Sequence, residues 1–481
     1  MSRSTLAALE RTRAISQHMH ASTQAPPVLF ETHGQVRKYI LNRPKKLNAL
    51  DTQMIDALRP FVEEWSRSSL SKILVGTGVG RGFCAGGDVA GVIELAKVEE
   101  TRPQAVDFFK REFELDYLLA AVPEPYVAVL DGITMGGGVG LSVNASFRIG
   151  TENTVFAMPE TKIGYCPDVG ATFFLSRLDG EIGTYLALTG ESIKGRDVYE
   201  LGLATHYVPA RRIPAILEKL AALDRQSWTV IDGIIEEHSQ EREPHEPPPT
   251  FAGVQREILD SVFRHNRVED IFADLRQVIE THDGEKIRAW AQHTLTAMEL
   301  RSPTSLKVAL AAVRKGKTST LHAALQTELN IATAFCSGAS NDFITGVTAV
   351  LVEKTKGRPA WEPSTVEEVN DTDVKAKFFS QFSPENGTAP TVDVPADVET
   401  IPSKVSSPMR FALPTEYEIR EMVVGSHPSS GGSAITKEEL VQKFVALRKS
   451  KMSVREKILD VVQRKCVEEP AEGEKYLKWK D

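Results

Sequence analysis

The chain has few cysteines, no long apolar run and no excess of basic charge, and each shortage removes a class of protein. Four cysteines in 481 residues (Cys84, Cys166, Cys336 and Cys466) share no CxxC or metal-ligand spacing. That excludes a disulfide framework and points to a reducing compartment. No apolar stretch approaches the ~20 residues that cross a bilayer. Lys and Arg number 57 against 65 Asp and Glu, a net charge of −8, which argues against broad electrostatic capture of nucleic acid. The phosphate-cradling pattern GxxxxGK followed by Ser or Thr is missing, and Gly136, Gly138 and Gly140 stop short of GxGxxG because position 141 is Leu. No internal repeat of fixed period is present. What is there, 41% hydrophobic and 25% charged residues, is the composition of a globular protein. The length suggests about three domains.

The two ends differ from the middle. Residues 1–21 carry Arg3, Arg11 and Arg13, several Ser and Thr, and a single acid, Glu10. A basic, Ser-rich, acid-poor start has the character of a mitochondrial transit peptide; a basic terminus with no targeting role is the blander alternative. From Trp361 to about Pro402 the text turns rich in Pro, Thr, Ser, Val and acids, which reads as a mobile or draped linker. Beyond it, Thr436 with Glu439 and Ser453 with Glu456 have the spacing of capping boxes. Leu440, Phe444 and Leu447 follow the first on one helical face; Ile458, Val461 and Val462 follow the second. A small C-terminal helical module is expected.

Between the ends, residues 28–208 alternate short apolar runs with helical ones. "YVAVLDGITMGGGVGLSVNASFRIG" reads as strand, Gly-rich turn, short helix and strand, the pattern of an α/β unit with helical crossovers. From Gly183 the strand signal fades and amphipathic helices follow, among them "VEDIFADLRQVIETH" and "TLHAALQTELNIATAFC". The charged, Pro-rich run "EEHSQEREPHEPPPTF" reads as a surface loop.

Three segments carry chemistry: 81–89, 131–142 and 158–178. The first two are Gly-rich turns, where backbone N–H groups approach a ligand without interference from Cβ. Two such turns aimed at one oxygen make an oxyanion hole; plain tight packing explains the glycines equally well. In the third, Glu160 and Asp168 lie eight residues apart around Gly164 and Pro167, so a turn can bring both carboxylates to one cleft. Such a pair serves as nucleophile or base with an orienting partner. The alternative is structural: an acid at a helix start, and a cap for "VGATFFL".

Together these segments resemble the crotonase (enoyl-CoA hydratase/isomerase) superfamily. "NRPKKLNAL" at 42–50, "GFCAGGDV" at 82–89 and "GITMGGGVGLS" at 132–142 are similar to its motifs. "FAMPETKIGYCPDVGATFFLSRL" at 156–178 resembles the catalytic segment of the 3-hydroxyisobutyryl-CoA hydrolase branch, and the likeness runs from about 28 to 363. It implies an α/β fold: a ββα spiral core (25–210), a helical region of the same domain (211–362), a linker (363–410) and a C-terminal helical extension (411–481), behind a transit peptide (1–24). It implies an oxyanion hole from the N–H groups of Gly87 and Gly137, Glu160 as principal catalytic carboxylate, Asp168 as the second, and Glu112 as a substrate contact. The implied activity is hydrolysis of 3-hydroxyisobutyryl-CoA in valine breakdown, in the mitochondrial matrix. No metal or separate cofactor is implied, since CoA enters as part of the acyl-CoA substrate. A homo-oligomer without membrane attachment is the family expectation. Arg37, Lys38, Lys45 and Lys46 are candidates for a basic rim along the CoA nucleotide.

One departure selects the branch. Where a hydratase has its first glutamate this chain has Gly140, and Asp168 adds a carboxylate that hydratases lack. Ala171-Thr172 stands where the hydrolase usually has glycines, which bears on pocket width. Two other functions stay open. One is an enoyl-CoA hydratase or isomerase. The other is a component of the mitochondrial small ribosomal subunit, because fungal members of this branch carry similar extensions and some are found there. The tail is basic around "VALRKSKMSVREK", which suits docking on RNA or protein; a solvated helix face is the simpler account.

Overall fold

A computed structural model describes residues 25–68, 70–224, 227–380, 390–394, 408–431, 434–471 and 474–480. The expected targeting segment at 1–24 lies outside the described residues. The strands of the core are β1 (Val28–His33), β2 (Val36–Leu41), β3 (Ile73–Gly78), β4 (Gly82–Cys84), β5 (Tyr126–Leu130), β6 (Ile133–Met135), β7 (Phe147–Gly150), β8 (Val155–Ala157), β9 (Ile193–Lys194) and β10 (His206–Tyr207). They form two sheets, ordered β1-β2-β3-β5-β7-β10 and β4-β6-β8-β9. The chain lays down one strand in each sheet in turn: β3 then β4, β5 then β6, β7 then β8. Apart from the β1–β2 hairpin and the β8–β9 pair, every pairing is parallel. This is the ββα spiral.

The middle of the first sheet is buried on both faces, so β5 (YVAVL) is apolar and buried throughout, whereas β1 and β2 nearer the edge keep polar residues. On one face Ile73, Val75, Val127, Val129, Phe147 and Ile149 meet Ile216, Leu220, Ile231 and Ile235. On the other, Leu74, Tyr126, Ala128 and Leu130 join the main core. The alternation along β3 and β5 is the two-residue period of a strand. Short polar caps set the helix starts. Asp51 accepts from the Met54 N–H (2.9 Å) at helix Thr52–Arg67, and Ser302 accepts from Ser305 N–H (3.0 Å) ahead of Pro303. Asn48 ties the "NRPKKLNAL" loop down, donating to the carbonyls of Val79 and Gly82.

The spiral decides where the site lies. β4, β6 and β8 run parallel and end side by side, so the loops after them converge: 85–87, 136–137 and 158–160. Ends of parallel strands are where open α/β sheets gather their ligands.

The C-terminal part departs from the all-helical expectation. Helices Glu416–Val424, Lys437–Leu447 and Val454–Lys465 are followed by a two-stranded antiparallel hairpin, β11 (Cys466–Ala471) and β12 (Glu474–Trp479). Thr436 and Glu439 form the expected capping box. Ser453 and Glu456 do not: Ser453 is left-handed (φ 63°) and caps nothing. Tertiary contact overrules the local signal. The turn at 449–453 carries Lys451 into a buried site, where Nζ lies 2.7 Å from His206 Nε2 and 3.0 Å from Glu236 Oε2. Glu236 also accepts from the Met452 N–H (2.7 Å). The described parts of the linker are draped rather than free: Val366, Val369, Val374, Phe378 and Val392 are buried in the core.

Candidate active site

Glu112, Gly87, Gly137, Glu160 and Asp168 surround one cavity of about 180 Å³, together with apolar Val89, Phe109, Ile163, Val169, Val350 and Leu351. The two glycine N–H groups reach it for different reasons. Gly87 pairs with Leu50 as a parallel bridge in which Leu50 bonds Gly86 and Asp88, so Gly87's own N–H points away from the partner strand. Gly137 opens helix Gly137–Val143, whose first N–H groups have no acceptor in the helix. Neither N–H has an acceptor among the described residues.

The glycines of 136–140 serve both of the roles read from the sequence. A Cβ on Gly137 would stand 2.2 Å from Glu112 Oε1, and one on Gly138 would stand 2.2 Å from the Cys84 carbonyl. Gly140 is pressed between Asp116 Oδ2 and Val169 Cβ, each 2.6 Å from where its Cβ would be. A side chain at 140 is therefore excluded by its neighbours.

Glu160 opens the 3-10 turn Glu160–Ile163, and is buried rather than displayed at a helix start. Asp168 caps nothing either. The capping of helix Ala171–Leu175 is done by Glu328, which accepts from Gly170 N–H (2.7 Å), Thr172 N–H (3.1 Å) and Thr172 Oγ1 (2.5 Å). That leaves the Asp168 side chain to face the cavity. Ala171 and Thr172, the departure noted in the sequence, do not line it.

The electrostatics are those of acids crowded out of water. Burial and the neighbouring Glu160 push Glu112 up to about 8. Burial pushes Glu160 up to about 8, opposed by its own backbone N–H and by Lys162. Asp168 is raised well above the usual carboxylate range by burial and by Glu112, Glu160 and Glu328, with Tyr165 opposing. Glu112 Oε1 and Glu160 Oε2 have no hydrogen-bond partner among the described residues. Such perturbed acids in a cleft are the mark of a functional site. The nearby thiols are not nucleophiles: burial pushes Cys84 up to about 12 and Cys166 well above its ordinary value.

Two acids escaped the sequence reading. Asp116 lies one turn beyond Glu112 on helix Arg102–Ala121, fully buried, with neither carboxyl oxygen bonded. Burial and Glu112, Asp168 and Glu328 raise it well above the usual range. A charged residue at i+4 from Glu112 within "KREFELDYLLAA" was the available signal. Glu328, raised by burial to about 7, comes from a helix 158 residues beyond Gly170, and no local pattern announces it. Of the rim candidates, Lys38 pairs with Glu31 (2.6 Å) and Arg37 bonds nearby carbonyls; none of the four lines the cavity. Among the described residues no group of His, Cys, Asp and Glu is disposed to hold a metal ion, and no helix is long and apolar enough to cross a membrane.

The sequence pattern of the enoyl-CoA hydratase/isomerase family matches residues 36–379. Human mitochondrial 3-hydroxyisobutyryl-CoA hydrolase is 38% identical over 377 residues, covering 78% of this chain and 94% of its own. Small ribosomal subunit protein mS47 of Neurospora crassa is 37% identical over 495 residues, covering 98% of this chain and 94% of its own. Among solved structures, a carnitinyl-CoA dehydratase from Mycobacterium thermoresistibile matches with a TM-score of 0.66 at 33% identity, over 77% of this chain and all of that one.

Proposed function

The chain belongs to the enoyl-CoA hydratase/isomerase family, and from that premise we propose that it hydrolyses short 3-hydroxyacyl-CoA thioesters, 3-hydroxyisobutyryl-CoA first among them. One observation carries the reading. The cavity holds Asp168 alongside Glu160, whereas position 140, where a hydratase has its first glutamate, is a glycine closed in by Asp116 and Val169. The resemblance of 156–178 to the hydrolase segment and the identity to mitochondrial hydrolases support it.

In this mechanism the thioester oxygen sits between the N–H groups of Gly87 and Gly137. Charge developing on that oxygen is met by two oriented donors, and loss of one such donor typically costs ~2.7–4 kcal/mol. Glu160 acts as a carboxylate. It attacks the carbonyl carbon, the C–S bond breaks, and water cleaves the resulting anhydride; or it takes a proton from water that attacks directly. Asp168, whose protonated form burial and the neighbouring acids favour, donates to the 3-hydroxyl or gives a proton to the departing thiolate. Glu112 contacts the substrate beside Gly137. Working in mitochondria, the enzyme would serve valine breakdown.

The test is thiol release from 3-hydroxyisobutyryl-CoA by the purified full chain, read with a thiol-reactive dye. Crotonyl-CoA runs beside it, with enone absorbance as readout. Thiol release without loss of enone supports the hydrolase; loss of enone without thiol release moves the assignment to hydratase. Single turnover in oxygen-18 water reports where water attacks: label in the Glu160 carboxylate requires an anhydride opened at the Glu160 carbon, and label only in the product acid places the attack of water at the acyl carbon.

A second reading rests on coverage. The hydrolase relatives span about three quarters of this chain, whereas mS47 spans 98% of it, C-terminal part included. The chain is accordingly also proposed as a component of a mitochondrial small ribosomal subunit. The two roles are compatible because Glu160 and Asp168 are both retained. Cosedimentation of the endogenous protein with ribosomal particles is expected; a wholly soluble distribution at low salt removes this role.

A further inference from the structure

Lys162 lies two residues beyond Glu160 in the same 3-10 turn, and both side chains line the cavity. Its stem passes Gly190, whose missing side chain leaves the room: a Cβ there would stand 3.2 Å from Lys162 Cε. Lys162 is the one cationic side chain among the described residues lining a cavity that also holds Glu112, Glu160 and Asp168. Three charged groups act on it electrostatically: Arg301 before helix Pro303–Gly316, Glu191 after helix Ile182–Thr189, and Glu160 from its own turn. Two of the three are engaged elsewhere. Arg301 donates to the Thr189 carbonyl (2.8 Å), and Glu191 is shared between Arg301 (3.8 Å) and His293 (3.6 Å). Glu160, with Oε2 unbonded, has no such commitment.

We propose that Lys162 is a positioning residue whose ammonium supplies the counter-charge that favours the carboxylate form of Glu160 in a pocket of acids. The need is physical. Glu160 must present a lone pair to a carbon or to water, yet burial favours its protonated form. A cation lining the same cavity, with no ion pair within 4 Å among the described residues, offsets that penalty through the low-dielectric interior without donating a proton. The electrostatics agree in direction: Lys162 pulls Glu160 down, and Glu160 pulls Lys162 up, each against the effect of burial. The inference rests on Glu160 being the reacting carboxylate, and its test reads ionisation directly.

The carboxyl stretch of Glu160 is titrated by difference infrared in the free full-length protein, with Glu160→Gln as the subtraction that identifies the band. Lys162→Met is expected to move the midpoint upward by about half a pH unit or more, and Lys162→Arg to restore it. The acidic limb of kcat/KM moves by the same amount while KM changes by less than about twofold. An unmoved midpoint in both Lys162→Met and Lys162→Gln overturns the proposal. So does a KM raised about fivefold with the midpoint unmoved, which makes Lys162 an anchor for the CoA phosphates. If no thioester is turned over, the infrared midpoint still decides on Lys162, and only the hydrolase reading falls.

Discussion

Two regions of this molecule bury carboxylates, and they treat them in opposite ways. At the junction between core and C-terminal part, buried Glu416 and half-buried Asp179 and Glu236 each meet a cation. Glu416 takes Arg464 (2.6 Å) and Arg256 (3.1 Å), Asp179 takes Lys457 (2.5 Å), and Glu236 takes Lys451 (3.0 Å). The arginines hold Glu416 down to about 2. Around the cavity, Glu112, Asp116, Glu160, Asp168 and Glu328 are all raised, with Lys162 the one opposing cation. The same type of side chain is held ionised where charge is matched and is pushed toward its protonated form where it is not. A buried acid without a partner is costly, so its retention in a well-packed core points to chemistry.

That contrast can be broken from either side. The largest effect belongs to Glu160→Gln, which keeps the fold and lowers kcat by about 10²–10⁴-fold, measured as thiol release. Next is Arg464→Met at the junction. It leaves Glu416 with Arg256 alone, so the loss falls at the low end of the ~3–5 kcal/mol for breaking a buried pair, read by urea unfolding. The pH dependence is of one sign. Glu416 is lowered in the folded chain, so its stabilisation is full above its unfolded value of 4.5 and is lost as pH falls toward 2. Asp116→Asn goes the other way. Asp116 is raised, so the wild type loses stability as pH rises above its unfolded value of 3.8, and the variant does not. A gain of about 1 kcal/mol at pH 8, absent at pH 4, is expected from thermal unfolding. The smallest effects separate two look-alike sequences. Thr436→Ala removes a formed cap and costs ~1 kcal/mol. Ser453→Ala removes none and stays within about 0.5 kcal/mol.

Much of the site was legible because it is local. Gly87, Gly137, Glu160 and Asp168 lie in short segments at the ends of β4, β6 and β8 or in the loop beyond, and the strand–turn pattern exposes them. Asp116 and Glu328 were not, because their meaning depends on which helices pack over the Gly-rich turn. The fold followed the same rule. The amphipathic helices from 268 to 336 are where their periodicity puts them, with starts fixed by Ser302 and Thr320. The hairpin β11–β12 was hidden because "CVEEPA" carries two glutamates and a proline, and because the lysines and glutamate of "EKYLKW" mask its strand-forming Tyr and Trp. Ser453 failed as a cap because Lys451, not the helix start, sets the backbone there.

Glu160, buried without an ion pair among the described residues, is proposed as catalytic, and Glu416, matched by Arg464 and Arg256, as structural. One assay tests this assignment: thiol release from 3-hydroxyisobutyryl-CoA at pH 7.5 by wild type, Glu160→Gln and Arg464→Met, each normalised to folded protein. Turnover in the wild type, near-complete loss in Glu160→Gln and wild-type kcat in Arg464→Met are expected. Retention of more than about a tenth of kcat by Glu160→Gln, or an equal loss in both variants, would contradict it.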